Sequence, residues 1–134
     1  MKIRQIAKDL QAQFDLDERR EIIESMDEDD FEVANYRFIH QDAIDEIQRD
    51  ELLSDIYTLG CFNDWFIADI TGLDCNVVTK AQKAGSYELL GELMAKEIDE
   101  VQYQYTAMDG YGHHFGHYDG YEYEAGEYSY FRVN

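Results

Sequence analysis

Apolar residues recur at three- and four-residue intervals through Ile3, Ile6, Ala7, Leu10 and Phe14, which predicts an amphipathic helix over Lys2 to Phe14. Leu16 to Met26 repeats the pattern with Ile22, Ile23 and Met26 on its apolar side. Asp27, Glu28, Asp29 and Asp30 then end it, because four adjacent carboxylates suit a solvated turn or the N-cap region of the next element. From Phe31 to Ile39 the period drops to two and aromatic and β-branched residues dominate, so a strand is expected. Helical spacing returns over Gln41 to Leu53, with Ala43, Ile44 and Ile47 inward and Asp42, Asp45, Glu46, Asp50 and Glu51 mainly outward.

Cys61 to Leu93 is the one long segment in which apolar residues outnumber charges, and it is expected to organise the rest. It contains the single Trp65 and a short apolar helix, Phe62 to Ile70. Asp74 is placed to cap a second helix, Cys75 to Ala84, which Gly85 ends. Ser86 begins the longest predicted helix, with Leu89, Leu90, Leu93, Met94, Ile98, Val101 and Tyr105 along one side; it stops near Asp109-Gly110. The segment Asp109 to Gly120 reads as a glycine-punctuated loop, and Tyr121 to Arg132 alternates around Ala125-Gly126 as a β-hairpin. With the Phe31 to Ile39 strand it makes a small antiparallel sheet, since two strands alone are marginal. The expectation is α+β, mostly helical, with about five to six helices, built as a single domain over 1–134.

Charge changes this picture most. Thirty acidic residues against eleven basic ones leave a net charge of −19. Seventeen acidic and seven basic residues lie before Ile56 (net −10), thirteen and four from there on (net −9), so the excess is no acidic tail. Such a surface repels nucleic acid and anionic membrane and attracts basic proteins at long range. No 18-residue apolar run exists, so the chain is expected to be cytoplasmic and to touch neither membrane nor nucleic acid directly. Cys61 and Cys75 lack a CxxC spacing and are expected to be reduced and buried.

Several stretches hold candidate chemistry. His113, His114 and His117 with Asp109 and Asp119 are metal-ligating types, but their spacing matches no metal motif, and a structural loop is the expected role; no metal and no cofactor are assigned. Nucleophile motifs and phosphate-binding glycine loops are lacking, so no catalytic residue is assigned and the protein is expected not to be an enzyme. Phe66 to Lys83 is similar to the helix-turn-helix of bacterial regulators, with Ala68, Gly72 and Val78 at the small, turn and hydrophobic positions; the resemblance implies Asn76, Thr79, Lys80 and Lys83 as groove-facing residues. Only two bases lie there, which opposes DNA binding.

Asp17, Glu18, Glu21, Glu24 and Glu28, then Asp42, Asp45, Glu46 and Asp50, form two rows of carboxylates ~5–6 Å apart on helices. Charges at that spacing suit a positively charged groove that normally takes DNA or RNA. Tyr36-Arg-Phe-Ile-His40, Asp42-Ala-Ile-Asp-Glu-Ile47, Leu59-Gly-Cys-Phe-Asn63, Asp109-Gly-Tyr-Gly-His-His-Phe115 and Tyr118-Asp-Gly120 resemble segments of small, uncharacterised bacteriophage and prophage proteins. The resemblance implies a phage setting and no particular mechanism. By analogy of class, small acidic phage proteins are often anti-restriction or anti-CRISPR inhibitors. The expectation is therefore a non-enzymatic inhibitor that binds a basic nucleic-acid-binding host protein by charge mimicry. Its expected contacts are Asp27, Glu28, Asp29, Asp30, Asp42, Asp45, Glu46 and Asp50. A helix-turn-helix regulator is the alternative, and a metal-binding protein using the His113 to His117 loop a third.

Overall fold

The structure is a computed structural model that describes Ile6, Lys8, Leu10 and residues 13–134. The helix expected over Lys2 to Phe14 falls largely outside the described residues; Ile6, Lys8 and Leu10 are helical. Beyond them, the described residues form seven helices and four strands: α1 (Leu16–Glu24), β1 (Asp30–Val33), β2 (Tyr36–His40), α2 (Ile44–Leu53), α3 (Ile56–Gly60), α4 (Asp64–Thr71), α5 (Cys75–Lys83), α6 (Tyr87–Ala95), α7 (Ile98–Phe115), β3 (Tyr123–Ala125) and β4 (Tyr128–Arg132). The fold is α+β and mostly helical, with a small antiparallel sheet that includes a C-terminal hairpin. The chain forms two compact units, Met1–Asp45 with Asp109–Asn134, and Glu46–Met108. Each has its own core.

In the first unit the sheet order is β1-β2-β4-β3, every neighbour antiparallel. The stretch expected as one strand, Phe31 to Ile39, is a hairpin instead. Its turn is Ala34-Asn35, with Ala34 at φ 54°, the one non-glycine left-handed residue among those described. Nothing in an alternating run distinguishes one strand from two when no glycine marks the turn. The hairpin lets each strand contribute one aromatic ring to a ladder across the whole sheet. Phe31 stacks on Phe38 at 5.1 Å, Phe38 on Tyr130 at 4.8 Å, and Tyr130 on Tyr123 at 5.2 Å. Phe14 meets Phe38 and Tyr130 from above, and Leu10 and Ile22 complete that core. Cross-strand aromatic pairs contribute ~0.2–1 kcal/mol each. Of the C-terminal tyrosines, Tyr128 and Tyr130 belong to this core, while Tyr118 and Tyr121 stay exposed.

α1 is stabilised at its start by a capping box: Asp15 accepts from the Glu18 amide at 2.8 Å and Glu18 accepts from the Asp15 amide at 3.0 Å. On the opposite sheet face Ile39, Phe131 and Phe115 are buried, and the Arg37 guanidinium lies 5.1 Å from the Phe115 ring centre. Phe115 reaches that face from α7. Residues 109–115, expected as loop, are helical apart from Gly110, whose φ of 74° and ψ of 172° break the helix.

In the second unit the Cys61 to Leu93 segment supplies half of the buried core, Phe66, Ile67, Val78 and Leu90; Leu52, Leu59, Met94 and Val101 on either side supply the other half. Gly60 of α3 lies against the Tyr87 backbone of α6, and Gly91 of α6 against the Ile56 backbone of α3. A methyl group at either would strike a carbonyl oxygen. Trp65 is half exposed. Two expectations change here. Cys61 and Cys75 are both free and exposed, because they sit at the C-cap of α3 and the first position of α5. The long helix expected from Ser86 is two helices, α6 and α7, and Ser86 makes no side-chain cap bond. A buried amide network, in which Gln102 and Thr106 of α7 each donate to Gln48 of α2 at 2.9 Å, ties those two helices together. Among the described residues no helix is long and apolar enough to cross a membrane.

Candidate functional site

Three chain segments end side by side at one end of the four-stranded sheet. The His40 amide donates to the Asp29 carbonyl at 2.8 Å, and the Gln41 amide to the Glu127 carbonyl at 2.9 Å. Both bonds continue the ladder past the strand ends. They align the turn before β1, the residues after β2 and the hairpin turn before β4.

Those segments carry Asp27, Glu28 and Asp29, then Asp42, then Glu127, all exposed. His40 lies among them. Its Nε2 is 3.5 Å from the Glu127 carboxylate, and its Nδ1 accepts from the Asp42 amide at 3.1 Å. Tyr128 fixes the acidic turn from below. Its hydroxyl is shared between the carbonyls of Met26 at 2.8 Å and Glu28 at 2.7 Å. Burial pushes the Tyr128 phenol above its ordinary value, and the charges of Asp29, Asp27, Glu127 and Glu28 push it further the same way. The same four carboxylates thus act on one oxygen. Adjacent strands are ~4.8 Å apart, which sets the spacing of the backbone segments that carry these charges.

The expected contact residues are therefore distributed as follows. Asp27, Glu28, Asp29 and Asp42 come together at the sheet end. Asp30 is exposed but bound by Arg37 in a fork of 2.8 and 2.6 Å, which neutralises it locally. Asp45 is exposed in the first turn of α2 and accepts a 2.5 Å bond from the Tyr111 hydroxyl. Glu46 and Asp50 are exposed one helical turn apart on α2. Glu127 is the member that sequence reading missed. Its signal was present in the hairpin: it is the last turn residue before β4, and pairing β4 with β2 carries it to His40.

The other candidate chemistries look different in three dimensions. His113 and His114 lie in the last turn of α7, and the Asp119 carboxylate is taken by the Tyr121 amide at 3.0 Å and the Tyr123 hydroxyl at 2.8 Å. Among the described residues no set of three or more His, Cys, Asp or Glu is placed to hold a metal ion. The stretch expected as a helix-turn-helix is two consecutive helices joined by a short turn. α4 ends at Gly72 with φ 77°, Asp74 caps α5 by accepting from the Asn76 amide at 2.8 Å, and Val78 is fully buried. Asn76, Lys80 and Lys83 are exposed. Thr79 is engaged instead, donating to Asp64 at 2.7 Å and to the Cys75 carbonyl at 2.9 Å. That bond holds the Asp64 carboxyl below the usual range.

Comparison with protein families, with curated proteins and with solved structures finds no match.

Proposed function

We propose that this chain is a non-enzymatic, phage-encoded inhibitor that occupies a basic nucleic-acid-binding site on a host defence protein, of the anti-restriction or anti-CRISPR kind, in the host cytoplasm. The observation that carries the reading is the sheet end. Asp27, Glu28, Asp29, Asp42 and Glu127 are exposed and meet around His40 and Tyr128; ladder bonds hold the backbone at Asp29 and Glu127, and the Tyr128 hydroxyl holds the acidic turn. A preorganised row of carboxylates loses little entropy on binding, and its field steers a basic partner toward it. The strands that lead into these charges are ~4.8 Å apart, and the nucleic acid they would replace carries a charge every ~1.7 Å of duplex axis. Asp45, Glu46 and Asp50 on α2 supply a second acidic row.

Affinity capture from nuclease-treated host lysate at low salt, with stepwise salt elution, tests this directly. A basic nucleic-acid-handling protein should bind and elute sharply as salt rises, as expected when charges are the main contacts. A variant with Asp27, Asp29, Asp42 and Glu127 changed to Lys should capture none of it. Retention of the same protein by that variant would refute the proposal.

The helix pair α4 and α5 with its Gly72 turn favours a second reading, a DNA-binding regulator acting through Asn76, Lys80 and Lys83. It requires measurable duplex affinity of the chain itself, lost when Lys80 and Lys83 become Glu.

A further inference from the structure

In an antiparallel pair, alternate residues of an edge strand turn both backbone groups away from the neighbour. The two-residue turn of the first hairpin closes on Val33 and Tyr36, so Val33, Phe31 and Asp29 point their backbone groups toward β2; the bond from the His40 amide to the Asp29 carbonyl at 2.8 Å fits this register. The N–H and C=O of Asp30 and Glu32 therefore face outward, and among the described residues no strand pairs with them. The opposite edge offers less. β3 has three residues, and the same reasoning turns only Glu124 outward.

An unpaired edge is a template for another chain, and its side chains decide which chain. Glu32 is an exposed acid; Asp30 is exposed too, but its carboxylate is already bound by Arg37. A second copy of this protein pairing edge to edge would set these carboxylates against their own kind, which is unfavourable across strands. A strand with Lys or Arg opposite Glu32 makes a favourable cross-strand pair and satisfies the backbone groups of both residues.

We infer that the outer edge of β1 accepts an extended Lys- or Arg-rich segment of the partner protein as a fifth, antiparallel strand. This rests on the acidic-inhibitor reading for the partner's charge. It adds that binding is directional and uses the backbone of Asp30 and Glu32, where charge mimicry alone needs no backbone pairing.

The test uses the full chain and a labelled peptide of alternating sequence, acetyl-Lys-Val-Lys-Val-Lys-Val-Lys-amide, read by fluorescence anisotropy. In an antiparallel match, the lysines lie opposite Asp30 and Glu32 and their amides point into the ladder. N-methylation of the lysine amides should weaken binding by at least about tenfold, the loss expected for two missing hydrogen bonds. N-methylation of the valine amides, which point away, should change it by less than about threefold. On the protein side, Glu32→Pro deletes one outward donor without touching the inward ladder, a position where an edge strand tolerates proline. It should cost about tenfold, and Glu32→Gln less than about threefold. The inference is overturned if the parent peptide does not bind, or if the two N-methylated peptides bind alike. The latter result leaves the acidic-surface reading standing, since attraction by charge alone would produce it. That reading fails separately, when reversing the sheet-end charges leaves the captured host protein bound.

Discussion

The Tyr128 hydroxyl donates to the carbonyl of Glu28, 100 residues earlier in the chain, at 2.7 Å. This bond, shared with the Met26 carbonyl, ties the acidic turn to the last strand of the sheet. Without it, four adjacent carboxylates would repel one another through a wider range of turn conformations. Tyr128→Phe keeps the ring in the core and removes only the donor. It removes the one donor shared by these two part-buried carbonyls and should cost about 1 kcal/mol of stability. Amide exchange at Glu28 and Asp29 should rise more than at β2; uniform loss of protection across the sheet would contradict the local role.

Alkaline pH should destabilise the protein. Tyr128, Tyr123 and Tyr111 all have phenols raised above their ordinary value, Tyr128 by burial, Tyr123 by its bond to Asp119, and Tyr111 by burial and its bond to Asp45. In the unfolded chain these groups release protons near pH ~10, before the native ones do. Stability is therefore fully present below that pH and is lost as pH rises toward the native values. Urea midpoints at pH 9 and pH 11 should differ, the higher pH giving the lower midpoint, and absorbance at 295 nm should resolve a late-titrating set of tyrosines. Equal midpoints would remove the proposed role of these bonds.

Gly60 and Gly91 hold α3 and α6 in backbone contact. Ala at either position gains ~1 kcal/mol of helix propensity but overpacks against a carbonyl, at a cost of ~1–3 kcal/mol. No side-chain rotation relieves a clash with backbone, so the second effect wins. Gly91→Ala should lower the melting temperature; an unchanged or higher value would show that the helices separate freely.

Ala34 sits at φ 54° in the tight turn of the first hairpin. A left-handed alanine costs ~1–2 kcal/mol, while glycine there loses roughly 0.5–1 kcal/mol of unfolded-state entropy. Ala34→Gly should therefore raise stability by up to about 1 kcal/mol, read as a shift in the urea midpoint.

Legibility follows the range of the interactions. Local periodicity located α1, α2, α4 and α5 to within a few residues, because apolar spacing and the Asp74 cap act within one or two turns. The first hairpin was hidden, because Ala34-Asn35 is not a standard turn pair. Helix at His113 and His114 was hidden by glycines, which commonly mark loops. Of the acidic site, Asp27, Glu28, Asp29 and Asp42 were legible as charge, whereas their meeting with Glu127 depends on β2–β4 pairing across the chain. The neutralisation of Asp30 by Arg37 is likewise a cross-strand fact.

The central claim is that this protein and nucleic acid compete for one basic surface. The most direct measurement is a mobility-shift assay with the captured host protein bound to labelled nucleic acid, titrated with this chain. Release of free nucleic acid as the chain approaches stoichiometry, and no release by the variant with Asp27, Asp29, Asp42 and Glu127 changed to Lys, is the expected result. A slower-migrating ternary complex, with nucleic acid still bound, would contradict the account.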